Sequence, residues 1–207
     1  METTQLAWIA NFTWGIADDV LRDLYVRGKY RDVILPMVVL RRLDAVLEPT
    51  KQAVLDMQAS LDAAGVHDQR LALRQAAGQA FYNTSKFTLR DLRARASQQQ
   101  LKADFEAYLD GFSPNVQDIL ENFEFRNQLP RLSKADALGT LIEKFLSPDI
   151  NLGPQPVFNG DGSVKQPGLD NHAMGTIFEE LVRRFNEENN EEAGEHWTPR
   201  DAVRLMA

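Results

Sequence analysis

The chain has 207 residues, 43% of them hydrophobic and 26% charged, with a formal net charge of -7 and no cysteine. That length and composition suit one large globular domain, or one and a half small ones, able to bury a core without cross-links. The missing cysteines exclude disulfides, thiolate metal sites and a cysteine nucleophile, and the acidic balance makes a poor stand-alone DNA binder, because counterion release needs clustered Lys and Arg.

Met1-Glu2-Thr3-Thr4 shows no basic stretch leading into an apolar one, so no signal peptide is evident and a cytoplasmic location is expected. Residues 14–27 carry Ile16, Ala17, Val20, Leu21, Leu24 and Tyr25 at mixed three- and four-residue spacing, one apolar stripe of a helix that Gly28 should end. A second helix is expected from 31 to 44 or further. Its apolar residues (Val33, Ile34, Met37, Val38, Leu40, Leu43, Val46 and Leu47) cover most of the circumference, which predicts the central buried helix. Pro36 is tolerated best in a first turn, so regular helix is expected from near Leu35. The apolar run here, Val33 to Leu40, is far short of the ~20 residues of a membrane span.

Residues 51–63 and 68–80 are rich in Ala and Gln, good helix formers, with Gly65 between them. Residues 82–87 read as a loop. Thr88 with Asp91 has capping-box spacing, and helical pattern continues through Leu101, Phe105 and Leu109 to Gly111. Ser113-Pro114 predicts a cap and first helical residue, followed by Val116, Ile119, Leu120 and Phe123. Ser133 with Asp136 predicts another start, before Leu138, Leu141, Ile142 and Phe145. Residues 147–169 break the pattern with eight Pro and Gly residues and suit a long connection, with a short hairpin at Asn159-Gly160 fitting the turn signals. A last helix is expected over 170–186, with Met174, Ile177, Phe178, Leu181, Val182 and Phe185 on its core face.

Chemistry-bearing residues are sparse. His67, His172 and His196 share no metal-ligand spacing and read as surface or capping histidines. No glycine-rich phosphate loop follows a strand, Gly160-Asp161-Gly162 reads as a turn, and no nucleophile elbow occurs. No catalytic residues are assigned. Arg90, Arg93 and Arg95, or Arg41 and Arg42, could meet phosphates, or be solvated and salt-bridged helix faces. The Glu/Asn-rich run 186–194 reads as a solvated helix end. After it, Thr198 is a good N-cap, Pro199 a first-turn residue and Asp201 the partner in a capping box. Trp197 is placed to staple onto the helix of Ala202, Val203, Leu205 and Met206. Such a helix start presents free N–H groups to a carboxylate or other polar ligand group.

Several of these stretches, in order, resemble the modification (M) subunit of type I restriction-modification systems. They are Ile16 to Arg22, Tyr30 to Met37, Leu40 to Leu43, Gly111 to Leu120 with Phe123 to Phe125, Met174 to Leu181, and Gly194 to Arg200. The resemblance implies an N6-adenine DNA methyltransferase that uses S-adenosyl-L-methionine on a base flipped from the duplex. It further implies that Glu195, His196, Trp197, Thr198, Pro199 and Arg200 lie near the methionine end of that cofactor. Partners follow from it too: a specificity (S) subunit, a second modification subunit and a restriction (R) subunit, with DNA met through the assembled complex and no membrane.

The expected fold is all-α, an irregular helical bundle with a long Pro/Gly-rich connection, and the start of an α/β methyltransferase domain, truncated, at the C-terminus. The expected division is a bundle over 1–146, a connecting loop over 147–169, and a helix and cofactor-side turn over 170–207. These 207 residues contain no Asn-Pro-Pro-aromatic motif for the flipped adenine and no glycine-rich cofactor loop, so the chain alone is expected to be inactive, with weak or no cofactor binding. The alternative is a stand-alone helical interaction module or remnant without an enzymatic role, or a regulator that mimics a methyltransferase arm.

Overall fold

The computed structural model describes residues 3–94 and 98–188. Within them the fold is helical apart from one two-stranded hairpin, as the apolar periodicities predict. The expected start of an α/β domain falls beyond residue 188, outside the described residues.

Helix α1 spans Thr3–Leu21, starting and ending earlier than the expected 14–27. Its stripe extends back through Ile9, Ala10 and Thr13, all buried. Thr13 is accommodated because its hydroxyl donates to the Ile9 carbonyl at 2.9 Å. After Leu21 the chain turns, with Leu24 and Tyr25 N–H groups sharing the Leu21 carbonyl, and Tyr25 still reaches the core.

Helix α2 spans Arg31–Leu47 and carries Pro36 inside it, rather than starting near Leu35. Proline there removes a hydrogen bond and crowds the carbonyl four residues back, costing about 3 kcal/mol. Tertiary burial outweighs this: every residue from Val33 to Leu40 is buried, as the nearly all-round apolar sequence predicts for a central helix.

Helices α3 (Lys51–Ala63) and α4 (Arg70–Ala77) form an antiparallel pair. They are joined where Val66 N–H closes back on the Leu61 carbonyl. The predicted helical continuation after Thr88 is two helices, α5 (Leu89–Arg93) and α6 (Gln98–Asp110). The Thr88–Asp91 capping box is present in both directions.

Helix α7 (Pro114–Asn122) starts after Ser113 as expected, but the Ser113 hydroxyl makes no cap bond. It donates to Asn115 Oδ1 at 2.7 Å and accepts from Tyr82 N–H at 3.3 Å, so a tertiary bond replaces the local one. Ser133, by contrast, does not begin a helix. It lies within α8 (Leu129–Lys134), and Asp136, in left-handed conformation, is the residue preceding α9 (Ala137–Phe145). Asp tolerates that conformation better than most residues.

After α9 the chain runs into β1 (Val157–Phe158) and β2 (Val164–Gln166), which pair antiparallel around the predicted turn. Helix α10 (Asn171–Glu188) then returns to the bundle. Asp170 caps it, accepting from Ala173 N–H at 2.7 Å. It packs on α1 and α2, with Met174, Ile177, Phe178, Leu181 and Phe185 buried. Trp14 of α1 meets Phe185 with ring centroids 4.9 Å apart, a contact that fastens the last helix to the first.

Candidate functional site

Glu195, His196, Trp197, Thr198, Pro199 and Arg200, where the resemblance implies a cofactor contact, lie outside the described residues, as does Arg95. His67 and His172 are exposed, as read from sequence. Among the described residues no group of three or more His, Asp or Glu side chains is placed to hold a metal.

The arginine clusters divide. Arg90 is exposed and pairs with Glu48 at 3.4 Å; Arg93 is exposed beside it. Arg41 and Arg42 are not a phosphate surface, which corrects one of the two readings above. Arg41 donates to the Phe145 carbonyl and lies 3.8 Å from Asp44. Arg42 is 1% exposed. The spacing Leu35, Val38, Arg42 puts it on a buried face of α2.

Arg42 instead gathers the Pro/Gly-rich segment. Its Nη1 donates to the carbonyls of Leu152 (3.0 Å) and Leu169 (2.9 Å), and its Nη2 donates to Asn171 Oδ1 at 3.0 Å. Burial lowers its pKa, with Asp170 opposing the shift. Asn151 works beside it. Its Nδ2 donates to the carbonyls of Gln155 (2.9 Å) and Pro167 (3.1 Å), and its Oδ1 accepts from Gly153 N–H at 2.9 Å. Leu169 N–H closes on the Gly153 carbonyl. At Gly168 any Cβ would sit 2.1 Å from the Pro154 carbonyl oxygen, so the two strands of this stem approach as only glycine allows.

On that stem stands the β1–β2 hairpin. Asn159 N–H donates to the Ser163 carbonyl, and Asp161 accepts from both Ser163 N–H (2.9 Å) and Ser163 Oγ (2.6 Å). These bonds hold the Asp161 carboxyl below its usual pKa. Phe158 pairs with Val164 across the hairpin, and a register shift separates that pair from Val157 and Gln166. Val157, Phe158 and Val164 are 42%, 57% and 55% exposed.

A second feature lies on the other side of α2. Asp44 accepts from Leu89 N–H and Tyr108 Oη, each at 3.1 Å. Lys51 Nζ donates to Asn83 Oδ1 (2.9 Å) and to the Asn83 carbonyl (3.3 Å), and Asn83 Nδ2 donates to the Tyr108 carbonyl. Burial raises the Asp44 pKa and lowers that of Lys51 to about 8. This network knits α2, α3, α5, α6 and the 82–87 loop. Gly111 sits against it: a Cβ there would lie 2.4 Å from Ser85 N. Above it an open groove of about 640 Å³ runs between the α3–α4 pair and the 111–114 turn, floored by Leu73, Tyr82 and Phe112. Its flanking charges are already paired, Arg70 with Asp68 and Arg126 with Asp110.

Neither feature assembles a nucleophile, base and orienting group.

The family described as HsdM N-terminal domain matches residues 9–145, from within α1 to the end of α9. No curated protein and no solved structure gives a match.

Proposed function

The chain belongs to the HsdM N-terminal domain family, matching the N-terminal region of a type I restriction-modification methyltransferase subunit, and from that premise we propose that this helical domain assembles the modification subunit with its partners. The observation that carries the reading is the coincidence of the family match with α1 to α9. The lack of an assembled catalytic group among the described residues is compatible with it. In this reading the partners are a specificity subunit, a second modification subunit and a restriction subunit, and DNA is held by the complex rather than by this domain. A net charge of -7 favours that division of labour.

The chemistry in this reading is transfer of a methyl group from S-adenosyl-L-methionine to adenine N6. We assign the cofactor contact to Glu195, His196, Trp197, Thr198, Pro199 and Arg200 on the sequence alone. The adenine-holding Asn-Pro-Pro-aromatic motif is not within these 207 residues, so the 207-residue chain should not methylate DNA by itself.

The test is co-expression of the chain with its cognate specificity and restriction subunits, followed by size-exclusion chromatography with mass determination. A stable complex is expected. Chromatography that leaves the chain apart from all of them at micromolar concentration would sink the assembly reading.

A further inference from the structure

We propose that Asn159 is a site of spontaneous covalent modification: its carboxamide closes on the Gly160 backbone nitrogen and releases ammonia, leaving aspartate or isoaspartate at the tip of the β1–β2 hairpin. The hairpin lies beyond residues 9–145, so the family match does not cover it.

The reaction needs only water. The Gly160 nitrogen gives up its proton to water or hydroxide and attacks Asn159 Cγ, forming a C–N bond. The Cγ–Nδ2 bond breaks, and Nδ2 leaves as ammonia after taking up a proton from water. Water then opens the cyclic imide. Cleavage of the bond from nitrogen to Cγ gives aspartate. Cleavage of the bond from nitrogen to the Asn159 main-chain carbonyl carbon gives isoaspartate. Nothing is oxidised or reduced.

The sequence contains a single Asn-Gly pair. Glycine lowers the barrier because its nitrogen carries no neighbouring side chain and its backbone turns freely. The structure leaves this pair open. Asn159 and Gly160 are both exposed, and a Cβ built on Gly160 would meet nothing within 4 Å. The Asn159 carboxamide is tethered at its leaving nitrogen, where Nδ2 donates to Ser163 Oγ at 2.9 Å. Other asparagines are held more firmly. Asn83 and Asn151 are buried with their carboxamides bonded at both ends. Asn11, Asn115, Asn122 and Asn186 lie in helices, which would have to unwind before the next nitrogen could reach the carboxamide.

A second glycine pair in the same turn, Asp161-Gly162, is protected by the same geometry. Ser163 N–H and Oγ both donate to the Asp161 carboxyl, at 2.9 and 2.6 Å. Those bonds favour the ionised form, and a carboxylate is a poor acceptor for a nitrogen nucleophile. Gly162 N–H is committed to the Asn159 carbonyl at 3.0 Å, whereas no group among the described residues takes the Gly160 N–H. The turn therefore directs ring closure to Asn159. The product adds a carboxylate beside Asp161. As isoaspartate it also lengthens the backbone inside a turn closed by the Asn159 N–H bond to the Ser163 carbonyl at 2.8 Å.

The experiment ages the full chain in warm, mildly alkaline buffer and follows each asparagine by peptide mass mapping, with fragmentation that separates aspartate from isoaspartate. Asn159→Gln and Gly160→Ala are aged in parallel. Gly160 is not in the left-handed region, so alanine fits there. The peptide carrying Asn159 should gain the mass of amide-to-acid conversion, with both products present, about tenfold or more faster than peptides carrying the buried or helical asparagines. Gly160→Ala should slow that gain by about tenfold, and Asn159→Gln should abolish it. An unchanged mass at Asn159 overturns the proposal. Equal rates at the other asparagines overturn it, because the folded turn would then confer no selectivity. A gain that Gly160→Ala leaves unchanged means direct hydrolysis by water without ring closure, and overturns it too. Isoaspartate at Asp161 with Asn159 intact would show that the turn directs closure the other way.

Discussion

Arg42 shows how one buried charge shapes this protein. Its guanidinium meets two carbonyls and one amide oxygen, with no carboxylate in contact. Truncation to alanine would leave the Leu152 and Leu169 carbonyls without it and open a cavity at the centre. The expected loss is about 3 kcal/mol in urea unfolding, accompanied by faster proteolysis within residues 147–169. A loss under about 1 kcal/mol would show that water replaces the guanidinium at little cost.

Lys51 makes a different kind of prediction. Its pKa lies at about 8 when folded, below the ordinary 10.5, so between these values the unfolded chain holds a proton that the folded chain has released. Stability contributed by this group therefore rises with pH across that window. Relative to Lys51→Met, the parent should gain stability from pH 8 to 9.5. Equal slopes for the two proteins would contradict the burial argument. Tyr108, whose pKa burial and Asp44 push well above 10, works in the opposite sense only above that range.

Among the elements, α5 is short and depends on its start. Thr88 accepts from Asp91 N–H at 3.2 Å, and Asp91 Oδ2 accepts from Thr88 N–H at 2.8 Å. The next N–H, that of Leu89, goes to buried Asp44. Thr88→Ala should cost about 1 kcal/mol, and amide exchange should quicken first at Asp91 and Leu92, whose N–H groups bond Thr88. Protection unchanged at those amides would mean that the Asp44 bond alone fixes the helix start. Helix α10 is held differently, by its apolar stripe and the Trp14–Phe185 contact. Its outer face carries Glu180, which Arg183 and Arg184 hold down to a pKa of about 2. Arg183 is exposed and Arg184 and Glu180 are half-buried at the surface, so these pairs should matter little to stability.

Taken whole, the described residues form a helical bundle with the Arg41–Arg42 pair turned inward, in a chain of net charge -7. No helix among the described residues is long and apolar enough to cross a membrane. The isolated chain should bind duplex DNA weakly, with no saturation below ~100 μM at 0.15 M salt in a fluorescence-anisotropy titration. Tight binding with a steep salt dependence would point to Arg90 and Arg93 as phosphate contacts after all.

Local physics wrote much of this into the sequence. Apolar periodicity marked α2 and α10; Ala and Gln content marked α3 and α4; the Thr88–Asp91 spacing marked a cap; the Pro/Gly cluster marked a hairpin-bearing connection. The motifs in order also resembled the family that the match over 9–145 established. Three matters were decided only by tertiary structure. Pro36 stays inside α2 because burial on all sides exceeds its local cost. Ser113 gives up its cap role because Tyr82 and Asn115 offer other partners. Arg42 points inward because carbonyls more than a hundred residues away converge on it. Periodicity, propensity and caps act within a turn or two of chain and can be read along it. A buried hydrogen bond between distant segments exists only once folding has brought its donor and acceptor together.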